Sequence, residues 1–194
     1  IELAGYNFPG HTEFFAEKTN TKKYLMAFYS KELKVALVSR HIALKDVSSY
    51  ITKEKITEVI DLINININNP KIAVCGLNPH AGEQGVIGKE EEDIIIPAIN
   101  EAKNKGVDIH GPFPADTLFL EQNRKKYDFI VAMYHDQGLI PFKMLAFYKG
   151  VNVTLGLPFV RTSVDHGTGF DIAGKNIADV GSLREAVLLA VEMV

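Results

Sequence analysis

The chain has little of several features that mark particular protein classes. It contains one cysteine, Cys75, so no internal disulfide can form, and we expect a reducing, cytoplasmic setting. No apolar run reaches the roughly 18 residues that a membrane span needs. Lys and Arg number 21 against 24 Asp and Glu, so the chain lacks the positive excess that nucleic acids and membrane surfaces attract. These absences predict a soluble protein with neither partner.

Two common nucleotide-binding fingerprints are also missing. The glycine-rich stretch 165–175 matches the first two glycines of G-x-G-x-x-G, but Ile172 stands at the third position. The P-loop motif G-x-x-x-x-G-K-[ST] is absent as well, because Glu90 stands after Gly88 and Lys89, where the motif requires Ser or Thr. A nucleotide bound by this chain therefore needs another architecture.

What the chain does have is an alternation of apolar segments. Of its 194 residues, 46% are hydrophobic and 23% are charged, which is ordinary for a protein with a buried core. Runs rich in β-branched residues predict strands at 24–29, 34–39, 71–76, 107–110, 127–134, 152–157 and 160–164. The first two favour an antiparallel hairpin that turns at 31–33.

Helical spacing of apolar residues predicts helices at 52–67 and at 89–105, the second ending at Gly106. Ser182 and Glu185 form a capping-box pattern ahead of a last helix at 186–194. Since strands and helices alternate, we expect an α/β fold with a mostly parallel sheet between helices.

Histidines follow predicted strands, where ligands bind in open α/β sheets. His80 and His135 stand just past two strands, and His11 lies in a turn that opens a helix. Three imidazoles with an open fourth position would make a catalytic metal site. Because they lack local ligand spacing, and because a lone loop histidine is usually a hydrogen-bonding surface residue, spacing alone favours that interpretation for each. We expect His41 to line the same edge without binding, and His110 to lie within a strand.

Charged residues accompany these histidines. Asp136 and Asp116 could orient an imidazole or move a proton, although Asp116 could instead cap a helix. Lys143 and Arg161 lie in apolar stretches and need an anion. For Arg161 that anion is a phosphate, a carboxylate or an internal Asp165, whereas Lys143 could also reach solvent along its own stem.

Five motifs, in order, resemble the 4-hydroxythreonine-4-phosphate dehydrogenases of vitamin B6 biosynthesis. They are Gly-His-Thr-Glu at 10–13, Gly-Leu-Asn-Pro-His-Ala-Gly at 76–82, Gly-Pro-Phe-Pro-Ala-Asp-Thr at 111–117, Tyr-His-Asp-Gln-Gly at 134–138 and the glycine-rich segment at 165–175. The last also looks like the adenosine-binding loop of the isocitrate and isopropylmalate dehydrogenases, which lack the usual dinucleotide fingerprint. The resemblance spans nearly the whole chain.

The resemblance implies a set of functional residues. A divalent metal, zinc, magnesium or cobalt, would be held across a homodimer interface by His11, His80 and His135. The phosphorylated substrate would be held by Lys143, Asn152 and Arg161. NAD or NADP would contact His166, Gly167, Asp171, Ile172 and Ala173. We take Asp136, Lys143 and Asp116 as the candidate catalytic groups.

The implied reaction is oxidation of the hydroxyl of 4-phosphohydroxy-L-threonine, followed by decarboxylation to 3-amino-2-oxopropyl phosphate, in pyridoxal 5'-phosphate biosynthesis. A sister dehydrogenase of phosphorylated four-carbon sugar acids would keep every motif. A metal-dependent hydrolase or lyase would use the same histidines. A fourth reading is a non-catalytic dimerisation and metal-binding core.

The chain departs from the family pattern in two respects. Position 169 is Gly where we expect Ala. Family chains are longer at the N-terminus, and the expected substrate-contacting His-Thr pair has no counterpart before Ile1. We therefore expect a C-terminal portion, with a central substrate, metal and dimerisation domain at 1–165. A segment at 166–194 would return to an N-terminal cofactor domain that is mostly absent.

Overall fold

The computed structural model describes Gly5, Phe8 and residues 10–194. The remaining residues lie outside this description, and they include Ile1, on which the expectation of a longer chain draws. The described helices are α1 (His11–Lys18), α2 (Val47–Tyr50), α3 (Lys53–Asn66), α4 (Ile96–Asn104), α5 (Ala115–Leu118), α6 (Glu121–Arg124), α7 (His135–Ala146) and α8 (Gly181–Glu192). The strands are β1 (Leu25–Tyr29), β2 (Lys34–Leu37), β3 (Ile72–Cys75), β4 (Ile109–Phe113), β5 (Phe129–Ala132), β6 (Val151–Leu155) and β7 (Arg161–Val164).

The strands form one sheet in the order β4-β3-β5-β2-β1-β6-β7. Neighbours from β4 to β2 are parallel, whereas β1 and β7 run against their neighbours, so five strands point the same way. The predicted α/β class with a mostly parallel sheet is confirmed. The predicted hairpin is confirmed too, because Ala27 of β1 pairs with Ala36 of β2 in antiparallel register.

One face of the sheet is covered by α3, α4 and α8. The apolar stripe predicted for the first of these helices is buried, with Ile56, Ile60 and Ile63 fully inside. The Thr52 hydroxyl accepts a hydrogen bond from the Lys55 amide and so begins α3. The predicted helix at 89–105 is divided into a π-helical turn at Glu91–Ile95 and then α4.

The opposite face is covered mainly by α7. This helix approaches β2 so closely that a Cβ on Gly138 would lie 2.7 Å from Val35 Cγ1 and 2.9 Å from Leu37 Cδ2. Leu139 and Phe142 pack into the same core. The helix was not among those predicted, since Gly138 and an internal Pro141 both disfavour helical structure.

The capping box predicted at Ser182 is wrong. The residue before α8 is Val180, and no side chain caps the helix. The Ser182 hydroxyl instead donates to the Gly150 carbonyl at 2.6 Å and accepts from the Asp165 amide at 3.1 Å. Because Ser182 is buried, its hydroxyl joins α8 to the ends of β6 and β7 rather than to the first turn of its own helix.

Among the described residues, no helix combines the length and apolarity that a membrane crossing requires.

Candidate active site

The carboxyl ends of four parallel strands meet at one edge of the sheet, the place where ligands bind in open α/β folds. A candidate residue follows each strand: His41 after β2, His80 after β3, Asp116 after β4 and His135 after β5. The first residue of α7 is His135 itself. Strand order therefore brings together residues that are far apart in the sequence.

His135 is held from two sides. Its Nδ1 lies 2.7 Å from Asp136 Oδ1, which favours the tautomer protonated at Nδ1 and leaves Nε2 as the ligating atom. Its ring centroid lies 5.8 Å from that of His41. From sequence, His41 is expected only to line this edge, but the structure places it beside the strongest metal-ligand candidate.

A cleft of about 740 Å³ opens next to His135. His80, Asp116 and Asp136 line it together, and its apolar wall includes Phe119 and Met144. Asp116 is exposed and lies inside the first turn of α5, where its Oδ1 accepts from the next amide rather than capping the helix end. Three of the sequence-predicted site residues therefore share one space.

The loop that carries His80 has an unusual backbone. His80, Ala81, Glu83 and Gln84 all have positive φ, between 45° and 55°, a region that residues with a side chain seldom adopt. Such conformations cost free energy and persist only where neighbouring groups impose them. The position of His80 therefore depends on contacts made by the rest of the loop.

A second cluster lies on the face of the sheet beside α7. Lys143 donates to the Asp165 carbonyl at 2.9 Å and lies 3.6 Å from its carboxylate. Lys143 is therefore neither unpaired nor simply extended into solvent. Asp165 pairs with Lys143, so the structure does not show the alternative in which Asp165 neutralises Arg161.

Arg161 donates to two neutral oxygens, Asn152 Oδ1 at 3.3 Å and Thr154 Oγ1 at 3.0 Å. Burial lowers the pKa of Arg161, and the charge of Glu13 on α1 offsets part of that effect. Glu13 also lies 3.9 Å from Arg40. Because one carboxylate is near two guanidinium groups, the cluster keeps an excess of positive charge suited to an anion.

Replacement of Asp165 by Asn is expected to stabilise the fold near neutral pH. Burial raises the pKa of Asp165 and outweighs the opposing charges of Lys143, His135 and His166, so the carboxyl binds its proton more tightly in the native state than in the unfolded chain. A raised native pKa means stability that is complete below the unfolded value of about 3.9 and is lost as pH rises through the native pKa. The gain from Asn should thus grow from pH 4 to pH 7, as thermal unfolding would measure, with about 2–4 °C for each kcal/mol. A loss that grows with pH would instead mean that the ion pair stabilises the protein.

The predicted cofactor loop is a series of turns that starts beside Lys143, at Asp165. Of the five residues expected to contact the dinucleotide, Ile172 is partly buried and four are exposed: His166, Gly167, Asp171 and Ala173. Gly169 has a φ of 58°, which accounts for glycine at a position where alanine would be strained.

His11 occupies a different part of the site. It is the exposed first residue of α1, and this helix approaches Arg40 and Arg161 through Glu13. Within the residues that the structure describes, no three histidine, cysteine or carboxylate side chains of a single chain gather closely enough to hold a metal. The imidazoles nevertheless suit a transition metal such as zinc, and His135 presents a ring nitrogen for it.

Two residues important for the site's shape were missed from the sequence. Gln137 spans two strand ends, since its Oε1 accepts from the Met133 amide at 2.7 Å and its Nε2 donates to the Gly76 carbonyl at 2.8 Å. Glu91 is buried beneath the His80 loop. Gln137 lies within the 134–138 motif and Glu91 in no motif, but neither role is visible in the sequence, because most of their partners are backbone groups that only the fold brings near.

Residues 1–190 match the family described as pyridoxal phosphate biosynthetic protein PdxA. The chain belongs to the PdxA family. It is 55% identical to a 4-hydroxythreonine-4-phosphate dehydrogenase of Sulfurihydrogenibium sp., covering 98% of this chain and 61% of the relative. It is 48% identical to a D-threonate 4-phosphate dehydrogenase of Salmonella typhimurium, covering 100% and 61%.

A crystal structure of 4-hydroxythreonine-4-phosphate dehydrogenase from Klebsiella pneumoniae superposes on this PdxA-family chain with a TM-score of 0.87 at 45% identity. The match covers 99% of this chain and 60% of that one. The chain thus spans about three-fifths of the length of these relatives. Sequence and structure together confirm the family expected from the five motifs.

Proposed function

We propose that this chain provides the substrate- and metal-binding part of an NAD(P)-dependent dehydrogenase that oxidises and decarboxylates 4-phosphohydroxy-L-threonine. One observation carries the proposal: the under-neutralised Arg161 and Lys143 lie on the side of the sheet that α7 covers, and α7 begins at His135. A phosphate-bearing hydroxy acid matches both halves, because the cations suit its phosphate and the histidine edge suits its alcohol. Relatives named as dehydrogenases of such compounds support this reading.

The metal is proposed to bind at His80 and His135. The family resemblance implies His11 as the third ligand, whereas the ring contact with His135 favours His41. Since one described chain does not gather three ligands, we propose that two chains of a homodimer share each site. A divalent metal in such a site supplies a Lewis acid that favours the alkoxide and the charge of decarboxylation, and the nicotinamide accepts the hydride.

The chain's own residues would divide the remaining work. Arg161, Asn152 and Lys143 bind and orient the phosphate. Asp136 holds the His135 ring in one tautomer, so we assign it positioning and not proton transfer. Lys143, which was the other candidate for moving a proton, keeps that role in the proposal. Asp116 would face the substrate from the cleft wall.

A second substrate has specific support. D-Threonate 4-phosphate dehydrogenases are among the relatives, at 48% identity over the whole chain. Threonate has a hydroxyl where 4-hydroxythreonine has an amino group, so the two substrates share the phosphate, the carbon chain and the oxidised alcohol. The residue that contacts this amino or hydroxyl group would determine which of the two substrates is preferred.

The function is tested by nicotinamide reduction, with zinc, magnesium or cobalt and with each substrate in turn. The 194-residue chain should be compared with a form extended to the length of the relatives. We expect reduced nicotinamide from 4-phosphohydroxy-L-threonine and its loss on chelation of the metal. A higher kcat/KM for D-threonate 4-phosphate would select the second substrate, and activity confined to the longer form would make this chain a non-catalytic core.

Two results would contradict the dehydrogenase proposal. Metal-dependent turnover without reduced nicotinamide would indicate a hydrolase or lyase. Absence of turnover in both forms with both substrates would exclude the assigned reactions. A cytoplasmic setting stays a prediction from the single cysteine, which lies fully buried in β3 and whose thiol pKa is raised by burial.

A further inference from the structure

A buried carboxylate lies directly under the His80 loop. Glu91 is only 2% exposed, in the π-helical turn that precedes α4. Its Oε1 accepts the amides of Leu77 and Asn78, each at 2.7 Å, and its Oε2 accepts Asn78 Nδ2 at 2.9 Å. Three hydrogen bonds therefore converge on one side chain, all from the two residues that lead into the loop.

Local sterics reserve this space for the carboxylate. A Cβ on Gly82 would lie 2.5 Å from Glu91 Oε2, and a Cβ on Gly76 would lie 3.1 Å from Glu91 Oε1. Both glycines flank His80 in the chain. Burying a carboxylate is costly unless hydrogen bonds replace its hydration, so this arrangement needs the loop as much as the loop needs Glu91.

The neighbouring carboxylate extends the contact to another strand end. Glu90 Oε2 accepts Asn78 Nδ2 at 2.8 Å, and Glu90 Oε1 accepts the Ser48 hydroxyl at 2.5 Å. Ser48 lies on α2, in the segment that follows His41. The two carboxylates thus connect the loop of His80 to the segment that begins with His41.

We infer that Glu91 is a positioning residue that fixes the His80 imidazole for metal binding by clamping the amides of Leu77 and Asn78. The inference rests on the proposed function in taking His80 as a ligand. A loop whose backbone is left-handed from His80 to Gly85 needs such an external anchor, because unconstrained residues with side chains leave that region. Groups that hydrogen-bond a metal ligand directly typically change metal affinity by about 10–100-fold, and Glu91, which acts through the backbone before His80, is expected at the lower end of that range.

The test compares Glu91→Ala and Glu91→Gln with Asp93→Asn, a control at an exposed residue of the same turn. Glutamine keeps the side-chain volume and one acceptor oxygen, but its NH₂ group would face the NH₂ group of Asn78, so that hydrogen bond is lost. Hydrogen exchange of the 76–85 segment and zinc affinity, by competition with a chromophoric chelator, are measured in the assembled protein. In the alanine variant we expect exchange to rise and zinc affinity to fall about 10-fold. The glutamine variant should show smaller changes in both quantities, and the control should show no change in either.

Unchanged exchange and zinc affinity in both folded Glu91 variants would overturn the inference. If the alanine variant fails to fold, the glutamine variant decides by the same two measurements. If the unaltered protein binds no zinc, the proposed metal site fails separately. Exchange alone then tests the clamp: faster exchange at Leu77 and Asn78 supports it, and unchanged exchange refutes it.

Discussion

Replacement of Arg161 by Ala is expected to raise KM for the phosphorylated substrate by about 100-fold or more, with a smaller effect on kcat. The guanidinium is half-buried and donates only to Asn152 and Thr154 among the described residues, so a phosphate would supply its anionic partner. Loss of hydrogen bonds to a charged group costs about 1.5–3 kcal/mol each, and about 2.8 kcal/mol corresponds to 100-fold. Steady-state kinetics would measure the effect.

Two further variants make the Arg161 result specific. Lysine at this position keeps the charge without the planar fork, so an intermediate KM is expected. Alanine at the exposed Arg184 of α8 removes a cation elsewhere and should leave KM unchanged. If the Arg161→Ala protein keeps the original KM, the substrate phosphate does not bind at Arg161.

Alanine at His135 is expected to abolish zinc binding and metal-dependent turnover. The loss should exceed the roughly 10–100-fold fall in affinity expected for Asp136→Asn, which removes only the partner that orients the ring. The 2.7 Å contact between Asp136 and His135 Nδ1 makes this order specific. Zinc content after dialysis and chelator competition would measure it. Equal affinity in the His135 variant and the unaltered protein would contradict the site.

The third ligand is decided by comparing His41→Ala with His11→Ala. Loss of zinc only in the His41 variant would support the ring contact with His135. Loss only in the His11 variant would support the family-based assignment. His110→Ala serves as the control, because His110 lies near the start of β4 and pairs with Asp108, whereas His41, His80 and His135 follow the carboxyl ends of their strands.

The sheet was predictable because its strands are short, apolar and rich in β-branched residues. All seven were expected within a few residues, and the hairpin followed from the turn between β1 and β2. Helix α7 was not predictable from local preference, since Gly138 and Pro141 oppose a helix that only packing against β2 explains. Tertiary packing overrode propensity there.

The site was predictable in its location but not in its grouping. Strand ends pointed to His80 and His135, yet the contact between His41 and His135 depends on β2 and β5 being neighbours, which strand order alone reveals. Glu91 falls in an acidic run that resembles an ordinary solvated first turn. Nothing local marks it as the acceptor of backbone amides 13 and 14 residues away.

The position of β1 in the sheet separates two strands that carry parts of the candidate site. β1 lies between β2, whose end precedes His41, and β6, which carries Asn152, so these two strands are two spacings apart across the sheet. Adjacent strands lie about 4.8 Å apart, so β2 and β6 are about 9.6 Å apart across the sheet, a separation fixed by backbone hydrogen bonds and not by side-chain rotamers. Along the strands the two positions are offset, because Asn152 is level with Val35 and His41 lies six residues further on. An exchange of the substrate's amino group for a hydroxyl would leave this backbone frame unaltered, so side chains alone would have to distinguish the two proposed substrates.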